Sequence, residues 1–294
     1  MRFTAAICIL LMFVGVFTGC TARKRAGLPE RLTLYLTGER RIITLTREEY
    51  LTGCILACTD PSFQPETLKA AAAACCGHAL SVMNERSPAE FMGADLSDDP
   101  GRCPAWISPE EALEDYCAGQ ESTSRKLTAA VEYAAALCPE YDGAPAYTPV
   151  FRCSTGITDD GGLPWLPEDS ACPWYSSTCT VPAEYARKAL REYTGSVVLP
   201  PSPVDWFTDP EYTHGGVLLT VRFGDSEVTG EQLRQAFGLR SSAVTITVSR
   251  EDMTFTSRGC GGNTGMSAYS AERLARGGMS AEEIFAYFFP GVAL

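Results

Sequence analysis

The chain has 294 residues, 45% hydrophobic and 20% charged, a balance that fits a packed globular protein and excludes a disordered one. Its formal net charge of −12 argues against nucleic acid or anionic lipid as the main partner. It has only two histidines, His78 and His214, which excludes a histidine-rich zinc site, so neither a metal nor another cofactor is expected.

At the N-terminus Arg2 precedes an apolar run from Ala5 to Phe17, too short to span a bilayer comfortably. This is the pattern of a signal peptide, assigned to residues 1–20. Phe17-Thr18-Gly19-Cys20 has the form of a bacterial lipobox, in which Cys20 becomes the lipidated first residue and holds the protein to the outer face of a membrane. Ordinary secretion, with Cys20 incidental, is the alternative. Residues 21–30 form a short basic tether, and residues 31–294 form the domain.

Arg31 to Leu45 alternates apolar and polar residues around Gly38-Glu39-Arg40, a β-hairpin pattern. Thr46 and Glu49 form a capping box for a helix through Leu56 that stops near Asp60-Pro61. Pro65-Glu66 opens a second helix, alanine-rich from Leu68 to Val82, whose small residues on every face predict burial. Asp95 to Pro109 is expected as a loop, Pro109 to Cys117 and Ser122 to Cys138 as helices, and Ala146 to Cys153 as a strand. Ser154 to Pro182 is expected as a long loop, with Trp165 and Trp174 candidates for packing or for sugar stacking. Ala183 to Glu192 and Gly230 to Phe237 follow as helices, and Val217 to Phe223, Val244 to Val248 and Met253 to Thr256 as strands. The pattern is α+β: one domain of helices packed on mixed or antiparallel strands with long groove-forming loops, and a small lobe around Ser202 to Arg250.

Eleven of the thirteen cysteines lie beyond Cys20. The number is odd, there is no CxxC, and Cys75, Cys76 and Cys138 sit at apolar helical positions, so most are expected to be small buried hydrophobes. Cys172 and Cys179 are the best candidates for a bridge.

The C-terminal stretch SRGCGGNTGMSAY runs a glycine cluster into a helix. Met266 stands where a P-loop requires Lys, and a Rossmann glycine loop belongs to a first βα unit, so both are excluded. The stretch resembles the C-terminal signature of the stage II sporulation protein D (SpoIID/LytB) family. Arg258, Gly259, Gly261, Gly265, Met266, Ser267, Tyr269 and Ala271 fall in register, as do Glu282-Glu283-Ile284 and Phe288-Phe289-Pro290-Gly291. Glu48-Glu49-Tyr50-Leu51-Thr52-Gly53, Ser62-Phe63 and Glu66-Thr67-Leu68-Lys69-Ala70 match the family's opening blocks, and Phe151 to Thr158 its central loop.

The resemblance implies work on peptidoglycan during the engulfment stage of sporulation, outside the membrane. Family members cut glycan strands as lytic transglycosylases beside a partner amidase, and a related branch enhances an amidase. A single glutamic acid protonates the glycosidic oxygen and then takes the proton of the muramic acid 6-hydroxyl. Here that position is Cys58, a poor acid for an ether oxygen. Asp60 is the substitute candidate, with Glu66 the other carboxylate nearby. The family's site histidines fall on Arg152 and Gly262, and its His-Cys pair on Arg102-Cys103. Arg152, Cys153, Ser154, Gly259, Gly261, Gly262, Asn263, Ser267 and Tyr269 are expected to line the groove. The expected function is therefore a glycan-binding or amidase-enhancing relative with a degraded transglycosylase site; the alternatives are an active enzyme using Asp60, or a cysteine hydrolase pairing Cys58 with His78.

Overall fold

Strand β1 (Arg31–Leu36) pairs antiparallel with β2 (Arg41–Thr46), placing Leu34 opposite Ile43, in a computed structural model that describes residues 27–85, 89–114, 120–159, 172 and 175–294. Helix α1 (Arg47–Cys58) starts at the expected box. The Thr46 hydroxyl accepts the Glu49 N–H at 3.2 Å, and the Glu49 carboxylate accepts the Thr46 N–H at 2.7 Å. Helix α2 (Pro65–Glu85) is the hub. From Thr67 to Ser81 every residue except Lys69 is buried, so small side chains are needed on all faces.

One face of α2 packs with α1 and β1 around Tyr50, Leu51, Ile55 and Leu68. Burying a side chain such as Leu68 contributes about 1.5–3 kcal/mol. The loop after α2 carries β3 (Leu96–Ser97), which adds parallel to the second edge of β1. Helices α3 (Pro109–Glu114) and α4 (Gln120–Ala135) follow, and α4 lies along α2. A tight hairpin joins β4 (Glu140–Tyr141) to β5 (Ala144–Pro145), turning at Asp142 and Gly143, both of positive φ. The expected Ala146 to Cys153 strand shortens to β6 (Val150–Phe151), because its partner strand among the described residues is two residues long.

The next segment folds as a lobe with its own core. It comprises β7 (Ser176–Pro182), α5 (Ala183–Thr194), β8 (Phe207–Tyr212), β9 (Leu218–Phe223), β10 (Ser226–Thr229), α6 (Gly230–Phe237), β11 (Val244–Val248) and β12 (Asp252–Arg258). Two antiparallel sheets, β10-β9-β8 and β11-β12-β7, enclose Phe223, Leu233, Met253 and Phe255, with Phe237 stacked on Phe255 at 4.2 Å. The lobe is larger than Ser202 to Arg250, since Ala183, Ala186 and Leu190 of α5 complete its core. The chain then returns: β13 (Met266–Ser267) pairs parallel with β6, and α7 (Ala268–Arg276) and α8 (Ala281–Phe288) cover the remaining face of α2. The architecture is α+β, as expected.

Two sequence expectations need correction here. The end of the supposed Ser154 to Pro182 loop is strand β7, paired along its whole length with β12. Cys172 and Cys179 do not form the expected disulfide, because Cys179 is held in β7 opposite Phe255 and packs on the lobe's core. Trp165, Trp174 and Cys20 lie outside the described residues. No described helix is long and apolar enough to cross a membrane.

Candidate functional site

Three segments meet around Arg152: the end of α1, the loop from Pro149 to Asp159, and the glycine loop from Arg258 to Ser267. Cys58 is the last residue of α1 and only 4% exposed. Its thiol donates back to the Cys54 carbonyl at 3.2 Å. Its hydrogen bond to the Cys75 sulfur, which Cys58 can donate only while protonated, and burial push its pKa well above the ordinary cysteine value. Cys54, Cys58 and Cys75 pack together in the first core.

Arg152 lies across the end of the same helix. Its guanidinium Nη2 donates to the carbonyls of Leu56, Ala57 and Thr59 at 3.2–3.3 Å. The first two carbonyls lie in the last turn of α1 and the third on its C-cap, where acceptors are unsatisfied and the dipole is negative, so a cation is favoured there. Arg152 is therefore a cap on the helix that ends at Cys58.

The carboxylates near this point are engaged. Asp60 Oδ1 accepts the Ser62 N–H at 2.8 Å, and the Asp60 carbonyl accepts the Phe63 N–H at 3.0 Å, so Asp60 builds the turn into α2. Glu66 pairs with Lys69 at 2.7 Å and accepts the Ala281 N–H at 2.9 Å. Glu272, not singled out in the sequence, is 3% exposed and accepts from the Gln64 N–H and the Thr67 hydroxyl, both at 2.8 Å, and from Arg276 at 2.6 Å. Its only sequence signal is an acid beside Ala271 on the apolar side of an amphipathic helix.

The glycine loop closes on the chain itself. Gly261 has φ +106, and a Cβ there would lie 2.6 Å from the Phe151 Cβ; Gly265 has φ +86, and a Cβ would lie 2.2 Å from the Pro149 carbonyl. Gly259, also of positive φ, packs on the backbone from Cys153 to Thr155, whereas Gly262 is exposed with open space above it. Cys153 and Cys260 exchange backbone hydrogen bonds, and the Arg152 N–H also donates to the Cys260 carbonyl. The Tyr269 N–H donates to the Arg152 carbonyl at 3.1 Å. Ser154 is buried, with its hydroxyl accepting the Gly156 N–H, and buried Ser267 caps α7 by accepting the Ser270 N–H.

Asn263 is the pin of this arrangement. It is 1% exposed at φ +59. Its Oδ1 accepts the Thr155 N–H at 3.0 Å, and its Nδ2 donates to the Ile157 carbonyl at 3.0 Å and the Asp159 carboxylate at 3.1 Å. Asp159 also accepts the Gly215 N–H at 2.8 Å, which ties the loop to the lobe. Asp159 and Gly215 carried no sequence signal beyond their loop positions.

Arg152 thus joins the α1 end, with Cys58 and Asp60 near it, to the glycine loop through its side chain on one side and its backbone on the other. His78 is not part of this group. It is buried against Tyr147 at 4.8 Å, and burial lowers its pKa to about 4. A Cys58–His78 nucleophile pair is absent among the described residues, because the Cys58 thiol is turned toward its own helix and Cys75. Arg102 pairs with Glu90 and sits over the Phe91 ring, while the Cys103 sulfur accepts the Ser97 N–H, so both help hold the loop around β3. Among the described residues no group of three or more His, Cys, Asp or Glu side chains is placed to hold a metal ion.

Comparison with known proteins agrees with the signature. Residues 35–138 match the SpoIID family model, described as stage II sporulation protein. Over 278 residues the chain is 26% identical to stage II sporulation protein D of Bacillus subtilis (strain 168), covering 90% of this chain and 79% of that protein. It is 25% identical over 277 residues to the protein of the same name from Bacillus amyloliquefaciens, covering 90% and 78%. The chain is thus similar to stage II sporulation protein D over most of its length, and the SpoIID family model matches it from the first strand to the helices packed on α2.

Proposed function

We propose that this chain serves peptidoglycan remodelling in sporulation as a glycan-binding or amidase-enhancing protein whose transglycosylase site has lost its acid. One observation carries the reading: the acid position is a buried thiol whose pKa is raised, at a helix end covered by Arg152. A lytic transglycosylase needs a group that gives a proton to the glycosidic oxygen and then takes one from the 6-hydroxyl. A thiol held above the ordinary cysteine pKa gives its proton less readily than a free one, and Cys58 presents almost no surface to a sugar. The Asp60 side chain is engaged in the turn by the Ser62 N–H, which disfavours the substitute-carboxylate alternative. The proposed partners are glycan strands and a cell-wall amidase. The proposed location is outside the membrane, anchored by lipid on Cys20, with secretion as the alternative.

Purified glycan strands without stem peptides test this. Incubation should yield no anhydro-muramic products by mass spectrometry, while sedimentation with the strands retains the protein. Anhydro products from the wild type, abolished by Asp60→Ala, would replace this reading with an active enzyme.

A further inference from the structure

The second edge of β2 is open, and the register fixes which groups it offers. The Arg47 N–H donates to the Glu30 carbonyl at 2.9 Å, one step beyond the Arg31–Thr46 pair. Hydrogen-bonded pairs alternate along an antiparallel ladder. Leu45, Ile43 and Arg41 therefore turn their peptide groups toward β1, and Thr46, Thr44 and Ile42 turn theirs outward. The opposite side of β1 agrees, since the carbonyls of Thr33 and Tyr35 accept from Asp95 and Asp98 at the β3 edge. The outward Thr46 N–H is taken by Glu49. Those of Ile42 and Thr44, with both carbonyls, have no partner among the described residues.

Exposed edges of this kind are usually blunted by proline, bulges or shortness. β2 has six residues in unbroken register and no proline. Beside it opens a cavity of about 580 Å³, lined by Ile43, Leu45, Trp106 and Ile107 and flanked by Glu110 and Glu111. The two glutamates make no hydrogen bond or ion pair among the described residues. The Trp106 Nε1 donor is buried against Gly53, without an acceptor among those residues.

We propose that the β2 edge docks an extended, cationic segment of a partner protein, which adds as a strand to Ile42 and Thr44. Main-chain hydrogen bonds supply the pairing, and alternate side chains supply specificity. Apolar side chains of the segment lie over Leu45 and Trp106, and its lysines or arginines face Glu110 and Glu111. The net charge of −12 steers a cationic segment and repels an acidic one. This docking does not depend on the glycan reading, since it shares no residue with the Arg152 region.

The probe is a short fluorescent peptide alternating Lys and Val, compared with the same peptide N-methylated along one edge, which keeps its charge but cannot pair. Fluorescence anisotropy should show saturable binding of the first, and about tenfold weaker binding of the second, the effect expected from losing one to two net backbone hydrogen bonds. Glu110→Lys with Glu111→Lys should weaken the first peptide about tenfold at low salt, by replacing two attractions with repulsions. Thr44→Pro, checked by circular dichroism for an intact fold, should remove binding; if it does not fold, the methylated pair of peptides still decides. Equal binding of the two peptides, or no binding of either, overturns the proposal. A dimer that Thr44→Pro dissolves would assign the edge to a second copy and also overturn it.

Discussion

The Arg152 guanidinium donates to the Thr59 carbonyl at 3.2 Å, across 93 residues of sequence, and in doing so closes the helix that ends at Cys58. The same residue uses its backbone N–H and C=O to hold Cys260 and Tyr269. One residue thus fixes both sides of the candidate site.

Arg152→Met keeps much of the apolar stem and removes the donors. Three carbonyls at the end of α1 lose their charged partner, so stability should fall by about 1–3 kcal/mol. Urea denaturation at neutral pH measures this, and Arg152→Lys should recover part of the loss because the helix end favours any cation. An unchanged midpoint for Arg152→Met would show that water satisfies those carbonyls equally well.

The thiols make the fold sensitive to alkali. Cys58 and Cys75 are held well above the ordinary thiol pKa; burial also pushes Cys103 up to about 11 and Cys76 to about 12. In the unfolded chain these groups ionise near 9, while in the fold they keep their protons. Their contribution to stability is complete below pH 9 and is lost as pH rises toward the folded values, at about 1.4 kcal/mol per pH unit for each group. Denaturation midpoints should hold from pH 7 to 8.5 and drop steeply above 9. In the native protein, iodoacetamide should leave Cys58 unmodified at pH 8 while modifying it in denaturant; rapid native labelling would contradict its burial.

On the acid side His78 acts in the opposite sense. Burial lowers its pKa to about 4, so the fold keeps it neutral while the unfolded chain protonates near 6.5. The stability it contributes is present above pH 6.5 and is lost as pH falls toward 4, reaching about 3 kcal/mol. His78→Phe should flatten the change in denaturation midpoint between pH 7 and pH 4.5. NMR titration showing imidazolium above pH 6 in the native protein would sink the expectation.

Local grammar made the first half of the fold legible. Thr46 with Glu49, Pro65 ahead of an alanine run, and alternation around Gly38 are signals that neighbours alone can satisfy. The strands that escaped detection lack such signals. β8 contains Asp209 and Pro210, is largely exposed, and is held by irregular pairing to β9. β7 is a run of Ser and Thr with Cys179 and Val181 as its only apolar interior residues, and its seven-residue register comes from β12. At the site, the glycines were readable because positive φ excludes most other residues. The turn at Asp60 was readable too, because Asp-Pro ahead of a helix is a local start signal and its partner Ser62 is two residues away; the roles of Arg152 and Asn263 were not, since a helix cap and a loop pin are defined by partners up to 108 residues away.

The binding of Glu272 to Gln64 and Thr67 spans 208 and 205 residues, and the face of α2 formed by Ala70, Ala71, Ala73 and Ala74 is covered by Ala271, Ile284, Phe285 and Phe288. While the polypeptide is being synthesised, that alanine face therefore waits uncovered until α8 has emerged. Contacts of such sequence separation close slowly, and an uncovered apolar helix invites aggregation in the interval. A premature stop before α8 would thus leave not a slightly shortened protein but a nascent chain dependent on a holding chaperone.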